Sequence, residues 1–388
     1  LSPFFIPTSR KRCPSLFILH SVLPPRVKTE KMFVAFLAGA IASVFLFRAP
    51  IGPLLAVSLI AKGADIRFVG FGRSFDLISA DESPTNDSAE FKEMTQAFES
   101  KKSLSVLSHN LWCHYLQAWY TPSPKKRLDG FLKRLKEEDI DVVFVQELFL
   151  FRLGPLAHSG HFEYLARGMR DLGYRFFTDP RPSLPFVGQN SGLCVFSRMP
   201  FTSPPSPHSF GVTGELVCTK GFEVVRVAPP CLAGDLHLVT THMDSKQRPR
   251  GVREAQARQI MEQAVSKALG PETAGHVVVA GDFNVCARRT KDQGQGYDSL
   301  KKGLSPLIPL YDAPADVMSP TRRPATKFWQ RGKSKAKAGT IDHAFVSPSL
   351  RAPHARPPSV VDWRCGDGTI VSDHLGLLFH LELASGAH

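Results

Sequence analysis

Six short motifs contain side chains of the types that can bind divalent metal ions or phosphate groups. Each lies at the start or end of an apolar, strand-like stretch, where a packed sheet presents side chains to converging loops. The motifs are Ser-His-Asn-Leu-Trp (108–112), Val-Gln-Glu (145–147), Asn-Ser-Gly-Leu (190–193), Thr-Thr-His (240–242), Gly-Asp-Phe-Asn (281–284) and Ser-Asp-His (372–374). Carboxylate and amide oxygens with imidazoles beside them suit metal-assisted phosphoryl transfer. One triplet alone carries no weight, but six in one order predict a single site.

Two of these motifs can be interpreted from their residues alone. Phe283 separates Asp282 from Asn284, so on an extended segment both polar side chains point to one face. The carboxylate can hold a metal ion or polarise water, and the amide can donate to a phosphate oxygen. The alternative is a turn that caps itself. Glu147 ends a buried strand, where a carboxylate costs free energy unless it is paired or binds a metal ion. The alternative is a surface glutamate that follows the strand.

The order of the motifs resembles the endonuclease/exonuclease/phosphatase superfamily. This superfamily includes deoxyribonuclease I, abasic-site endonucleases, inositol-phosphate 5-phosphatases and neutral sphingomyelinases. The resemblance runs from Leu104 to Leu383 and is greatest to neutral sphingomyelinases, in the block Asn-Ser-Gly-Leu-Cys-Val-Phe-Ser-Arg-Met-Pro (190–200) and in Thr-Lys-Gly (219–221). The chain departs from that pattern at Thr219 and at Met243-Asp244.

The resemblance implies a metal site built from three of the motifs. In it Glu147 is the main Mg²⁺ ligand, Asn110 supplies a neutral oxygen nearby, and Asp373 has a secondary role near the metal. Mn²⁺ is the other candidate ion. We therefore expect a hydrolase that depends on a divalent metal.

The resemblance also implies how the remaining motif residues act. His374 is the general base that activates water, and Asp342 accepts its second ring N–H to hold the tautomer. His242 binds or protonates a phosphoryl oxygen, and Asn190 contacts the phosphate through its amide. Lys220 contacts phosphate or couples a mobile loop to the site; the alternative is an exposed lysine on an edge strand.

Both helices and strands are needed to position these residues. Apolar residues at helical spacing predict amphipathic helices over Lys126–Glu138, Phe162–Leu172 and Val252–Leu269. Proline-rich or polar composition predicts loops over Pro204–Pro207 and Arg288–Gly303. Periodicity shows only a mixture of helices and strands. The resemblance implies the α/β fold class and a four-layer α/β/β/α sandwich of the deoxyribonuclease I-like type.

The chain divides into four expected segments. Residues 1–31 are unassigned and are interpreted as a possible upstream read-through, 32–80 form a hydrophobic membrane-associated segment, 81–103 a linker, and 104–388 the catalytic domain. The run Phe33–Phe47 has no charged residue and, at ~1.5 Å per residue, is shorter than the ~30 Å hydrocarbon core. Four interpretations of this segment stay open. They are a signal-anchor that continues through Leu54–Ala61, a hairpin in one leaflet, a cleaved signal peptide and a buried helix.

The net charge indicates which kinds of partner the chain could bind, and the cysteines indicate whether it has disulfides or a zinc site. The formal net charge is +13, and residues 321–337 contain seven Lys or Arg and no acid. Such a run attracts polyanions, either nucleic acid or an anionic lipid leaflet, although a solvated surface loop explains it as well. The seven cysteines are scattered without a C-x-x-C pair, so we expect neither a disulfide framework nor a zinc site.

These observations predict a Mg²⁺-dependent phosphodiester hydrolase of the neutral sphingomyelinase type. It would act at a phospholipid membrane, endomembrane or plasma membrane, and cleave sphingomyelin to ceramide and phosphocholine. The alternative is a metal-dependent nuclease of the deoxyribonuclease I type, with nucleic acid as its partner. A membrane-binding module without activity is a third class, and the filled metal and base positions disfavour it.

Overall fold

The computed structural model describes part of the chain, all of it in one compact unit. The described ranges are 98–113, 122–153, 156–158, 160–179, 187–213, 218–232, 234–245, 251–270, 275–287, 294–310, 321 and 339–384. The hydrophobic segment 32–80, most of the linker and the basic residues 322–337 lie outside these ranges. Within them, no helix combines the length and apolarity needed to cross a membrane.

The first sheet has seven strands around a parallel central pair. Its strands are β1 (Leu104–Cys113), β2 (Val142–Leu148), β5 (Phe176–Phe177), β7 (Cys194–Ser197), β14 (Leu350–Arg351), β15 (Ser359–Val361) and β16 (Gly376–Leu383). They run in the order β14-β16-β1-β2-β7-β5, and β15 pairs with β16. β1 and β2 are parallel, whereas β16 and β7 flank them antiparallel. Every residue of β1 is buried because both faces of this sheet are covered.

The second sheet has six strands and the same central arrangement. Its strands are β8 (Ser203–Ser209), β9 (Gly221–Val227), β10 (Leu236–His242), β11 (His276–Asp282), β12 (Ile308–Pro309) and β13 (Asp342–Val346). Their order is β12-β13-β11-β10-β9-β8, with β10 and β11 parallel. A small third sheet contains β3 (Phe151–Leu153), β4 (Leu156–His158) and β6 (Val187–Gln189).

Helices cover the outer face of each large sheet. They are α1 (Pro124–Glu137), α2 (Gly160–Asp171), α3 (Val252–Ile260), a π-helical turn (Met261–Val265), α4 (Ser266–Ala268) and α5 (Gly294–Gly303). One apolar cluster lies between the two sheets, a second between the first sheet and α1 with α2, and a third between the second sheet and α3 with α5. Three apolar layers separate four layers of backbone, which confirms the predicted α/β/β/α sandwich.

Polar contacts also cross the space between the sheets. Gln146 Nε2 on β2 donates to Thr240 Oγ1 on β10 over 3.1 Å. Thr178 Oγ1 donates to Glu223 Oε2 over 2.8 Å. Buried hydrogen bonds of this kind favour one relative placement of the sheets, because a shift would leave polar groups without partners.

Two predicted loops are instead regular elements. Pro204–Pro207 lies within β8, which is the edge strand of its sheet; proline is tolerated there because its missing N–H would face solvent. The polar stretch Arg288–Gly303 contains α5, whose Tyr297 and Leu300 pack at helical spacing in the third cluster. The predicted amphipathic helices are confirmed, but the third is interrupted by the π-helical turn.

Candidate active site

The parallel strand pair in each sheet ends in site residues. In the first sheet Asn110 on β1 is paired with Gln146 on β2, and Glu147 follows directly. In the second sheet His242 on β10 is paired with Asp282 on β11. Parallel strands end at the same edge of a sheet, and Asn110 Nδ2 donates to Asp282 Oδ2 over 3.1 Å across the two sheets. The two edges therefore form one site.

A carboxylate–imidazole cluster lies at its centre. His242 Nε2 is 3.7 Å from Glu147 Oε1 and 3.6 Å from Asp282 Oδ2, and ligand atoms of all three residues lie within 4.8 Å of one another. Asp282 and His242 are buried, and the Glu147 side chain is 13% exposed. A buried and a partly buried carboxylate close to one another favour a bound cation, and their oxygens with an imidazole nitrogen suit a divalent metal ion.

The other two predicted metal ligands, Asn110 and Asp373, differ in how close they lie to this cluster. Asn110 is fully buried beside Asp282, but its Oδ1 accepts a hydrogen bond from the Trp112 N–H over 3.0 Å. Asp373 is half-buried and belongs to neither group of described side chains that could share a metal ion. Asp282, predicted mainly as a catalytic residue, belongs to both groups.

His374 and Asp342 form a buried pair. His374 Nδ1 lies 2.9 Å from Asp342 Oδ2 and 3.2 Å from Oδ1, and His374 Nε2 lies 3.8 Å from Asp282 Oδ2. Burial alone would lower the pKa of His374, but the negative charges of Asp342 and Asp282 raise it to about 10. With a proton on Nδ1, Asp342 holds the ring so that Nε2 faces the metal cluster.

The three other predicted phosphate-binding residues have different surroundings, and Lys220 is the one whose side chain contacts the cluster directly. Lys220 is 3% exposed, and its Nζ lies 2.6 Å from His242 Nε2, so it is not an exposed edge-strand lysine. Asn190 Oδ1 accepts the N–H groups of Leu150 and Gly192, while its buried Nδ2 has no hydrogen-bond partner within the described ranges. Asn284 Nδ2 donates to the Met243 carbonyl over 3.0 Å.

Backbone strain is concentrated at the ends of the site strands. Among the described residues, the non-glycine positions with positive φ are Trp112 at 54°, Glu147 at 59° and Asn284 at 52°. Such conformations cost ~1–3 kcal/mol each and cluster at functional sites. Gly192 approaches this backbone closely: a Cβ there would lie 2.9 Å from both Glu147 Cα and Leu148 N. The glycine of the Asn-Ser-Gly-Leu motif is thus needed for backbone contact with the Glu147 turn.

Sequence reasoning missed the residues that hold this backbone in place. The guanidinium of Arg127 is buried and donates to the carbonyls of Leu111, Trp112 and Val371 over 2.7–2.9 Å. Thr321 is buried against the start of β13. Arg127 lies in a charged helix and Thr321 opens the basic run, so neither position carried a sequence signal.

Comparisons with known proteins agree with this geometry. The sequence model described as the Endonuclease/Exonuclease/phosphatase family matches residues 107–374. The comparison with curated proteins gave no match.

Several solved structures share the fold at low identity. A beta toxin mutant from Staphylococcus aureus with bound magnesium ions superposes with a TM-score of 0.53 at 16% identity, covering 72% of this chain and 99% of that one. Sphingomyelinase C from Streptomyces griseocarneus gives 0.52 at 17% identity, covering 72% and 99%. D. rerio TDP2 complexed with a single-strand DNA product gives 0.51 at 18% identity, covering 73% and 100%.

Proposed function

The chain belongs to the endonuclease/exonuclease/phosphatase family of metal-dependent hydrolases, and on that premise we propose that it is a Mg²⁺-dependent sphingomyelinase of the phospholipase C type. One observation carries the proposal. Asp282 belongs to the cluster with Glu147 and His242 and also lies 3.8 Å from His374 Nε2, so the residues that would hold a metal ion adjoin the proposed general base.

The donor set defines what would be bound and what it would do. Glu147 and Asp282 are the residues that would hold a Mg²⁺ ion, with Mn²⁺ as the other candidate. When bound, the ion would withdraw charge from a phosphoryl oxygen and, by offsetting Asp282, lower the pKa of His374 toward the range of a general base.

The chain's own side chains account for the rest of the reaction. Neutral His374 accepts a proton at Nε2 from water as the water oxygen attacks phosphorus, and Asp342 stabilises the resulting imidazolium. Lys220, His242 and the unpartnered Nδ2 of Asn190 donate to the phosphoryl oxygens as charge develops on them. The bond from phosphorus to the ceramide oxygen breaks, that oxygen takes up a proton, and phosphocholine and ceramide leave.

Two sequence blocks support the choice of sphingomyelin. The Asn-Ser-Gly-Leu and Thr-Lys-Gly segments resemble neutral sphingomyelinases, and Lys220 of the second segment contacts His242. Sphingomyelinase C from Streptomyces griseocarneus shares the fold. The test is a panel of sphingomyelin, lysophospholipids, inositol phosphates and DNA, given to full-length protein with Mg²⁺ or with a chelator. We expect phosphocholine release from sphingomyelin that the chelator abolishes.

A nuclease is the second candidate, and a specific observation favours it. Seven cations lie in residues 321–337, and a TDP2 structure with a DNA product shares the fold. DNA cleavage in the same panel, without phosphocholine release, would replace the sphingomyelinase assignment. Nuclease binding should also weaken steeply with salt, because phosphate contacts release counterions.

We also propose attachment to an endomembrane or the plasma membrane. The apolar runs Phe33–Phe47 and Leu54–Ala61 support it, and the cations of 321–337 would add attraction to anionic lipid. Full-length protein should therefore stay with the membrane fraction after a high-salt wash, which strips purely electrostatic binders. Recovery of intact protein in the salt extract would contradict this attachment.

A further inference from the structure

Thr321 is a fully buried polar residue that hydrogen-bonds the backbone of Asp342 and the backbone next to His374. Its side-chain Oγ1 accepts the backbone N–H groups of Ile341 and Asp342, each over 3.0 Å. Its carbonyl accepts the Leu375 N–H over 2.6 Å, and its own N–H donates to the Gly339 carbonyl over 3.1 Å. Four hydrogen bonds thus compensate the burial of this residue.

These contacts reach both members of the pair through the backbone. Asp342 opens β13, and its N–H is bound by the threonine hydroxyl instead of by a neighbouring strand. Leu375 directly follows His374, so the threonine carbonyl holds the peptide group after the imidazole-bearing residue. Asp342 and His374 are 32 residues apart in sequence, and Thr321 hydrogen-bonds the backbone at both places.

The remaining backbone groups of His374 are held by other residues. Its N–H donates to Ser372 Oγ over 3.1 Å, and its carbonyl lies 3.3 Å from His109 Nε2. These contacts fix His374 relative to the first sheet, which contains β1 with His109. Neither of them reaches Asp342 on the second sheet. The contacts of Thr321, in contrast, join the backbone beside His374 to the backbone of Asp342.

We propose that Thr321 is a positioning residue for the general base. Its hydroxyl holds Asp342 and its carbonyl holds the residue after His374, which keeps the Nδ1–Oδ2 distance at 2.9 Å. Thr321 contacts neither water nor substrate in this scheme and acts through Asp342. The inference rests on the proposed role of His374 as the base, but not on the identity of the lipid head group.

The test compares Thr321→Val, which keeps the shape and removes the hydroxyl, with Thr321→Ser, which keeps the hydroxyl. The assay uses full-length protein, Mg²⁺ and bis(p-nitrophenyl) phosphate, a phosphodiester without lipid. We expect Thr321→Val to lower kcat about 10-fold to 100-fold with KM nearly unchanged, and Thr321→Ser to stay within about threefold of wild type. Amide exchange at Ile341 and Asp342 should be faster in Thr321→Val.

A purely structural role is distinguished by repeating the valine change in Asp342→Asn. If Thr321 acts through Asp342, the second change should lower kcat less than about threefold further, because the pair is already broken. An equal loss in both backgrounds, or a wild-type kcat in Thr321→Val, would overturn the proposal. If Thr321→Val does not fold, Thr321→Cys supplies the same comparison with a weaker acceptor. Failure of the sphingomyelinase assignment would appear separately, as absence of phosphocholine release by the wild type.

Discussion

Lys220 Nζ lies 2.6 Å from His242 Nε2, and both side chains are buried. This geometry makes the ammonium a donor to a ring nitrogen in a site that also contains two carboxylates. Lys220→Met should keep the fold and lower kcat about 100-fold, because a buried donor near the developing negative charge is lost. The measurement is phosphodiester hydrolysis at saturating Mg²⁺. Lys220→Arg is the matched control, and equal losses in both variants would indicate that packing, not the charge of the lysine, is required.

Glu147→Gln tests the metal site. The amide keeps the shape of the side chain and removes its negative charge, so activity should fall by at least about 100-fold while folding survives. Mg²⁺ binding measured by titration calorimetry should weaken in parallel. Glu163→Gln, on the partly exposed face of α2, is the control. A Glu147→Gln enzyme with the wild-type rate would show that the metal is bound elsewhere.

His374 and Asp342 should act as a unit. His374→Ala and Asp342→Asn should each lose most of the activity, and the double variant should lose little more, because either change removes an oriented base. The measurement is kcat for the four proteins of the cycle. Strictly additive losses would mean that Asp342 does not act through the imidazole.

Gly192→Ala should disturb the site through the backbone. Gly192 has a φ of 65°, and a methyl group there would meet Glu147 Cα and Leu148 N at 2.9 Å. We expect a loss of about 2 kcal/mol in the free energy of unfolding and a weaker metal site, since Glu147 must move. Urea unfolding with and without Mg²⁺ measures both effects. Gly366→Ala is the control because nothing lies within 4 Å of its added methyl group.

The metal-free protein should be most stable near neutral pH. Burial lowers the pKa of His208, His237 and His380 below 6.5, so the stability that they contribute as neutral rings is lost as pH falls below that value. The pKa of His374 is raised to about 10, so its contribution is complete below 6.5 and is lost as pH rises toward 10.

Urea unfolding midpoints between pH 5 and pH 10, in the presence of a chelator, would measure the loss of stability at acid pH and at alkaline pH. His374→Gln should reduce the loss of stability toward pH 10 and leave the loss at acid pH unchanged. His237→Gln should reduce part of the loss at acid pH and leave the loss toward pH 10 unchanged. If the loss of stability toward pH 10 persists in His374→Gln, another titrating group causes it.

The motifs predicted the site because chemistry and spacing are local properties of the sequence. Glu147, His242, Asp282 and the pair His374–Asp342 lie together as their strand-end positions suggested. The role of each remains a prediction, since proximity alone does not measure catalysis. The α/β/β/α sandwich was predictable from the resemblance, but the helix in Arg288–Gly303 was hidden by glycine and polar residues.

What could not be predicted depends on contacts distant in sequence. Arg127 is 244 residues from Val371, whose carbonyl it binds, and nothing near either residue indicates that contact. The backbone role of Thr321 is of the same kind. Such residues show no pattern because their partners are peptide groups, which every residue carries.

The place of β16 in the first sheet has a consequence for how the chain folds. β9 and β10 are neighbours in sequence and pair in the second sheet, but the equivalent neighbour of β1 is β16, with Leu104 opposite Leu381. During synthesis, β1 and β2 emerge long before residues 376–383 and leave one edge of β1 without its partner. Folding of the first sheet must therefore finish after most of the chain has left the ribosome. In the incomplete chain this strand edge is exposed, so it would be a binding site for a chaperone that shields strand edges.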